Sequence, residues 1–395
     1  MEPLTVLGFN NCIDYEMVWN GKRMESLVKE HGIHQKDIQM PRIINDERSM
    51  IVALLSFLES GTGGECTVER MSVLQRLARR FESRCTLGGT SVRAAITLNN
   101  LNCKGTVHLA AQNQVVRDQF PQGWKILCGR QRDELYPHII FQYRKNDRVC
   151  VNDIDICAKR SNRVIFSCDK SCAELVLSQE LSSIFKNTSV LMVSGFHTIS
   201  DRVLADKRLD ELCDAMNSLP AAAFVLYEDA CCRNEKVGEA ILSHLFGKTT
   251  VFSLNEDELS RYIGEQVDIL NPNAVLNALE RLRKITGSGH ILLHTRHYAM
   301  ITGQNAREYR RALESGNVCA GLRFMHGDQW TLEDYRDGFL LPRCPSGCQF
   351  EEKIVALGRE DTCCCPSLLT DERKGITIGL GDTFIGGFLY RIMPK

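Results

Sequence analysis

The 395-residue chain has no apolar run both long and uncharged enough to span a bilayer, so no transmembrane helix is expected. Its opening stretch, Met1-Glu2-Pro3-Leu4-Thr5-Val6-Leu7-Gly8-Phe9, lacks the basic region and long apolar core of a secretory signal. The expected compartment is therefore the cytoplasm, with no membrane partner. A basic run is also missing: 48 Lys+Arg nearly balance 49 Asp+Glu. Nothing is left over to neutralise a series of backbone phosphates, so nucleic acid is not an expected partner. Repeats, low-complexity tracts and Pro/Ser-rich linkers are absent too. A smaller lobe is accordingly expected to be built from insertions into a larger domain and not appended at one end.

Cysteine, by contrast, is abundant, with 18 residues. In a reducing compartment these are expected to be free thiols that act mainly as small apolar side chains. Two clusters stand out, Cys344-Pro345-Ser346-Gly347-Cys348 and Cys363-Cys364-Cys365-Pro366. Neither has the paired Cys-x-x-Cys form usual at zinc, and packing is the reading given to both.

With 44% hydrophobic and 25% charged residues, the chain has room for a large core and a second lobe. Apolar, β-branched runs at 4–9, 105–110, 190–194, 223–227, 249–252 and 290–294 alternate with helical patterns such as 200–217, 234–246 and 273–285. That alternation predicts α/β architecture around a large, doubly wound, mostly parallel sheet. One region departs from it. Residues 138–143, 148–156 and 162–166 read as successive short strands with no helix between them, which predicts a separate antiparallel sheet suited to a lid over a cleft.

The chemistry concentrates near the C-terminus, in Thr377-Ile378-Gly379-Leu380-Gly381-Asp382-Thr383-Phe384-Ile385-Gly386-Gly387-Phe388. A glycine-flanked turn opening a helix offers unpaired backbone N–H groups and the positive end of the helix dipole, a combination that holds an anion such as a phosphoryl group. An aspartate there can take the proton of an attacking hydroxyl, or it can simply cap the helix. Spacing alone leaves both roles open.

The same stretch resembles the catalytic signature of the ribokinase superfamily. Its Gly-Leu-Gly-Asp-Thr resembles in particular the ADP-dependent glucokinase and phosphofructokinase family. Other segments match in the family's order along nearly the whole chain. Gly8-Phe9-Asn10-Asn11-Cys12-Ile13-Asp14 resembles the first strand, whose end binds sugar through an Asn and an Asp. Ser60-Gly61-Thr62-Gly63-Gly64-Glu65 resembles the loop whose glutamate contacts sugar, and Gly88-Gly89-Thr90 the Gly-Gly motif, with Thr90 in place of the usual Gln.

Further along, Asn162-Arg163 resembles the lid strand whose arginine approaches the phosphoryl, and Ser194-Gly195-Phe196-His197 a cleft-lining strand end. Asn255-Glu256-Asp257-Glu258 resembles the Asn-x-x-Glu signature and is also a capping box. Tyr227-Glu228 ends a strand where the family has His-x-Glu, Leu226 standing in the histidine position. His294-Thr295 resembles a His-Thr pair, to which no catalytic role is given. Cys365-Pro366-Ser367-Leu368-Leu369 falls where a nucleotide-base loop is expected.

The resemblance implies a ribokinase-like fold with lid insertions at roughly residues 10–50 and 136–167. It implies transfer of a phosphoryl group from Mg-ADP to a hexose or hexose phosphate. Asp382 would be the base, Gly379, Leu380 and Gly381 the anion hole, and Arg163 the phosphoryl clamp. Asn10, Asp14, Glu65, Gly88, Gly89 and His197 would bind sugar, Glu228, Glu258 and Asn255 would organise Mg2+, and Pro366, Ser367 and Leu368 would meet the nucleotide. Glu65 tilts the acceptor towards glucose over fructose 6-phosphate, although Arg93 and Arg163 could serve a sugar phosphate. An ATP-dependent kinase of the same superfamily and a non-catalytic sugar- or nucleotide-binding regulator are the rival readings.

Overall fold

A computed structural model describes residues 4–133, 137–230, 232, 234–371, 375, 376 and 378–394. Thr377, and Tyr136 at the start of the expected second insertion, lie outside the described residues. In chain order the strands begin β1 (Leu4–Gly8), β2 (Cys12–Met17), β3 (Gly64–Thr67), β4 (Ser83–Gly88), β5 (Thr106–Leu109) and β6 (Lys125–Cys128). They continue with β7 (Pro137–Tyr143), β8 (Arg148–Val151), β9 (Ile154–Cys157), β10 (Asn162–Ser167) and β11 (Thr188–Val193). The last are β12 (Phe224–Glu228), β13 (Val251–Asn255), β14 (His290–His294), β15 (Tyr298–Gly303) and β16 (Thr362–Pro366).

Nine of these form one sheet in the order β16-β15-β14-β13-β12-β11-β1-β5-β6. Its pairs from β14 through β6 are parallel, and only β15 runs against them, pairing antiparallel with both β14 and β16. The central runs are largely apolar because both faces are covered. Along β11, Leu191 and Val193 enter one core while Val190 and Met192 enter the other. Helices Arg202–Met216, Glu235–Leu245 and Pro272–Thr286 cover the first face. Thr90–Asn100, Arg310–His326 and Leu380–Ile392 cover the second, giving the doubly wound α/β fold expected. Among the described residues no helix is long and apolar enough to cross a membrane.

A second sheet, β3-β10-β7-β2-β4, packs with helices Gly21–Glu30, Glu47–Ser60 and Met71–Ala78 around a core of its own. Two details differ from the expectation. The first insertion reaches residue 88, beyond the expected limit near 50, because β3 and β4 belong to this sheet. Neither has an apolar run to reveal it: β3 is half exposed, and β4 begins on two exposed residues. The sheet is also mixed and not purely antiparallel, since β2 pairs with β7 in parallel. Both strands follow directly on strands of the large sheet, β1 and β6, and so leave it in the same direction. The stretch 148–156 folds back on itself as the separate hairpin β8–β9, turning at Asn152 with φ +53°.

The cysteine run was expected in a loop but forms β16, where Cys364 packs into one core and Cys363 and Cys365 into the other. In this edge strand the thiols serve as small apolar groups.

Because the central strands are parallel, their C-terminal ends share one edge, where an open α/β sheet forms its crevice. The C-terminal helix is held against the helix Thr90–Asn100 by a close glycine contact. A Cβ on Gly386 would stand 2.6 Å from Thr97 Cβ and 3.0 Å from the Ala94 carbonyl. Gly386→Val should therefore push the two helices apart and cost about 1–3 kcal/mol in chemical denaturation; an unchanged midpoint would show that the contact is not close.

Candidate active site

The helix Leu380–Ile392 starts from Gly379, whose φ of +69° and ψ of +26° lie in the left-handed region that disfavours any side chain. The site demands glycine a second time, since a Cβ there would fall 2.3 Å from Arg93 Cδ. The first turn leaves the N–H groups of Leu380, Gly381 and Asp382 without intrahelical acceptors, and the first bond of the helix runs from Thr383 to the Gly379 carbonyl. Asp382 stands in this turn with its side chain a quarter exposed.

Beneath the turn lies Arg93, 2% exposed, from the helix that follows Gly88-Gly89. Its Nη2 donates to Asp14 Oδ2 at 2.6 Å, and its Nε lies 3.9 Å from Asp382 Oδ2. Burial alone would lower the pKa of the guanidinium, but Asp14, Asp328 and Asp382 together raise it above its ordinary value. A second buried arginine, Arg323, donates from Nε to the Ile378 carbonyl at 2.6 Å and pairs with Asp328. Burial and the repulsion of Arg93 lower its pKa to about 10. Arg163, half-buried on lid strand β10, also has a lowered pKa, through burial, and feels Asp382 as its leading opposing charge.

At the end of the cleft expected to take sugar, Asn10 is 9% exposed between two positive-φ glycines. A Cβ on Gly195 would lie 2.6 Å from Asn10 Cβ, and one on Gly89 would lie 2.9 Å from the Asn10 carbonyl. Ser91 Oγ donates to that carbonyl at 2.5 Å, while the side-chain oxygen Oδ1 of Asn10 is buried with no hydrogen-bond partner among the described residues. Asn11 locks the strand end to the next strand: its Nδ2 donates to the Ala111 carbonyl and its Oδ1 accepts from the Ala111 N–H. Asp14 lies under Gly88, where a Cβ would come within 2.3 Å of its carboxylate. Glu65, exposed on edge strand β3, accepts from Ser167 Oγ at 2.9 Å. His197 lies in the short turn Phe196–Thr198 beyond β11.

The acidic residues gather at the ends of β12 and β13. Glu228 Oε1 meets His294 Nε2 at 2.9 Å, and its Oε2 is buried without a hydrogen-bond partner among the described residues. The capping box at Asn255 is complete: its side chain accepts from the N–H groups of Asp257 and Glu258, and Glu258 Oε2 accepts from the Asn255 N–H at 2.9 Å. Burial, then Asp229 and Glu228, raise the Glu258 carboxyl to about 8. Burial likewise raises Asp229 to about 6, despite Arg261. His294 also has its pKa raised; burial opposes this and is outweighed by Glu228, Glu258 and Glu256.

His294 links this cluster to the catalytic turn. A Cβ on Gly381 would lie 3.0 Å from its Cε1, and its ring centroid is 5.2 Å from that of Phe384. At the expected nucleotide segment, Pro366 ends the buried strand β16 and Leu368 is 4% exposed. These two side chains are turned into the protein, leaving half-buried Ser367 and exposed Leu369 at the surface.

The residues brought together without an assigned role in the sequence reading are Arg323, Asp229 and His294. Arg93 had been open to a sugar phosphate, but it is enclosed and bonded to Asp14. A strand-end histidine directly after paired leucines, and an arginine four after a Gly-Gly pair, are the sequence marks that His294 and Arg93 carry.

A conserved region described as ADP-specific phosphofructokinase/glucokinase matches residues 4–390. The ADP-dependent glucose/glucosamine kinase of Pyrococcus furiosus is 24% identical over 439 residues, covering 98% of this chain and 94% of the relative. The enzyme of the same description from Pyrococcus abyssi is 23% identical, over 96% and 92%. Among solved structures, a phosphofructokinase from Pyrococcus horikoshii OT3 with AMP superposes with a TM-score of 0.78 at 18% identity, covering 99% of this chain and 98% of that one. An ADP-dependent kinase in complex with fructose-6-phosphate and ADPβS gives 0.76 at 15%, over 99% and 94%. The structural likenesses establish the fold, the conserved region spans β1 to the C-terminal helix, and the protein belongs to the ADP-specific phosphofructokinase/glucokinase family.

Proposed function

We propose that the protein is a cytoplasmic sugar kinase that transfers a phosphoryl group from ADP to a hexose hydroxyl, with Asp382 as the general base. The observation that carries this reading is the placement of Asp382 in a helix turn with unpaired N–H groups, joined through one buried arginine to Asp14 at the sugar end. The chain's relatives, which act by name on ADP and on glucose/glucosamine, support donor and acceptor.

The sugar lies against Asn10 and Asp14, with Glu65 reaching it from the lid. The unpartnered Oδ1 of Asn10 accepts from one of its hydroxyls. Asp382 takes the proton of the attacking hydroxyl as that oxygen bonds to the terminal phosphorus of ADP, whose bond to the bridging oxygen breaks to release AMP. Charge on the phosphoryl in flight is met by the N–H groups of the turn and by Arg163 from the lid. Closure of the lid excludes water, the competing nucleophile. Since Arg93 is committed to Asp14, and Glu65 would repel a phosphate, a neutral hexose such as glucose is favoured over fructose 6-phosphate.

The acidic cluster fits Mg2+. Glu228 has a buried oxygen with no partner, and Glu258 holds its proton against two neighbouring carboxylates; a divalent cation relieves both. Glu228 and Glu258 would hold the ion through its waters, while the Asn255 side chain is spent on the cap and positions Glu258. Bound there, the ion neutralises nucleotide phosphate charge. Ser367 is the residue of the expected nucleotide segment left accessible to the base.

Purified protein should turn over glucose with Mg-ADP and not with Mg-ATP. Activity with ATP alone would overturn the donor, activity with fructose 6-phosphate alone the acceptor, and tight sugar binding with no turnover under any donor would favour the non-catalytic regulator. Asp382→Asn should lower kcat by about 10²- to 10⁴-fold with the sugar KM little changed; near-wild-type turnover in correctly folded protein would remove Asp382 from the mechanism. Glu228→Gln should raise the Mg2+ concentration giving half-maximal rate by about 10- to 100-fold, whereas an unchanged Mg2+ dependence would place the ion elsewhere.

A further inference from the structure

Strand register gathers a second constellation beside the sugar-binding carboxylate. Side chains alternate along β2, so Cys12 and Asp14 share a face, and Asp14 lies directly opposite His138 where β2 pairs with β7. Cys12 Sγ donates to Asp14 Oδ1 at 3.0 Å, and His138 Nδ1 lies 3.9 Å from the same oxygen. One sulfur, one carboxylate oxygen and one imidazole nitrogen thus fall within 4.8 Å of one another. Space for them exists because position 88, opposite Cys12 in β4, is glycine: a Cβ there would stand 2.5 Å from Cys12 Sγ.

The imidazole is oriented from behind. Its other nitrogen, Nε2, faces Asp169 Oδ2 at 3.4 Å, and neither atom has another hydrogen-bond partner among the described residues. Asp169 is itself fixed, because its Oδ1 caps the helix Lys170–Glu174 by accepting from the Cys172 N–H. A carboxylate behind a histidine whose free nitrogen points to a shared centre is the arrangement that fixes metal-ligating imidazoles. Cys12 is 8% and Asp14 3% exposed, while the His138 side chain is 16% exposed, so the open side lies towards His138 and the lid.

We propose that Cys12, Asp14 and His138 form a three-ligand zinc site that opens into the sugar cleft, and that zinc held there excludes the sugar. The mixed S, N and O donors suit Zn2+ and not Mg2+, which takes oxygen ligands in octahedral geometry. Three protein ligands leave the fourth tetrahedral position open. On binding, the Cys12 thiol loses its proton to solvent and the thiolate becomes a ligand. Asp14 cannot serve zinc and sugar hydroxyls together, so the two compete. This consequence rests on the reading of Asp14 as a sugar ligand; the metal site does not.

The test uses the full chain free of nucleotide. Co2+ should give the near-ultraviolet thiolate-to-cobalt charge-transfer band, one equivalent of Zn2+ should abolish it, and Cys12→Ala should lack it. In kinetic assays Zn2+ should inhibit competitively against hexose. Cys12→Ala should keep the basal rate and require at least about tenfold more Zn2+ for the same inhibition. A band of equal strength in Cys12→Ala would assign it to another cysteine and overturn the site, as would its absence from wild type. Should Cys12→Ala fail to fold, His138→Gln is read in the same way. A cobalt band dependent on Cys12, with inhibition that hexose does not relieve, would keep the site and overturn its competition with sugar. The same band in a protein with no kinase activity would keep the site and sink the proposed function.

Discussion

A single buried cation, Arg93, governs the arrangement of the cleft. Placing a guanidinium at 2% exposure costs several kcal/mol unless carboxylates surround it, and Asp14 at 2.6 Å supplies most of the compensation. The pair crosses the division between lid and large domain, since Asp14 belongs to β2 of the small sheet and Arg93 to a helix of the large one. Removing one partner would leave an uncompensated charge, a loss of about 3–5 kcal/mol for a buried pair. The neighbouring glycines follow from this pair. Gly88 leaves room for the Asp14 carboxylate and Gly379 for the arginine stem.

The same economy holds at the ends of β12 and β13, where local structure and site chemistry use the same atoms. Asn255 and Glu258 satisfy one another and the first turn of their helix through the capping box. In doing so they fix the Glu258 carboxylate beside Asp229 and Glu228, a cluster that His294 stabilises. Capping and the proposed ion binding are therefore not rival explanations, because the cap uses one oxygen of Glu258 and leaves the other uncommitted to it.

The cleft also shows how a few side chains can carry more than one ligand chemistry. Asp14 meets Arg93 through one oxygen and Cys12 through the other. That division lets the same carboxylate be proposed both as a sugar ligand and as a metal ligand with Cys12 and His138. Cys12 is thus distinguished from the thiols of β16, which are packed into the apolar cores on the two faces of the edge strand and, among the described residues, join no such group with a histidine and a carboxylate.

Much of this was legible along the chain. The continuous apolar runs of β11 to β14 required a sheet covered on both faces, and Gly379-Leu380-Gly381-Asp382 announced an anion-binding helix start. The Asn255–Glu258 spacing gave its capping box, because these features depend on neighbours within a few residues. The short, half-exposed β3 and the exposed start of β4 were not legible, since neither has an apolar run. The pairings of Arg93 and His294 were equally silent, for their partners lie far along the chain: Arg93 meets Asp14 across 79 positions and His294 meets Glu228 across 66. Strand and helix periodicity, the family resemblance and the glycine-flanked turn around Asp382 could be read along the chain. Which charges are buried together could not, because pairing at low dielectric depends on distance in space, which spacing along a chain does not encode.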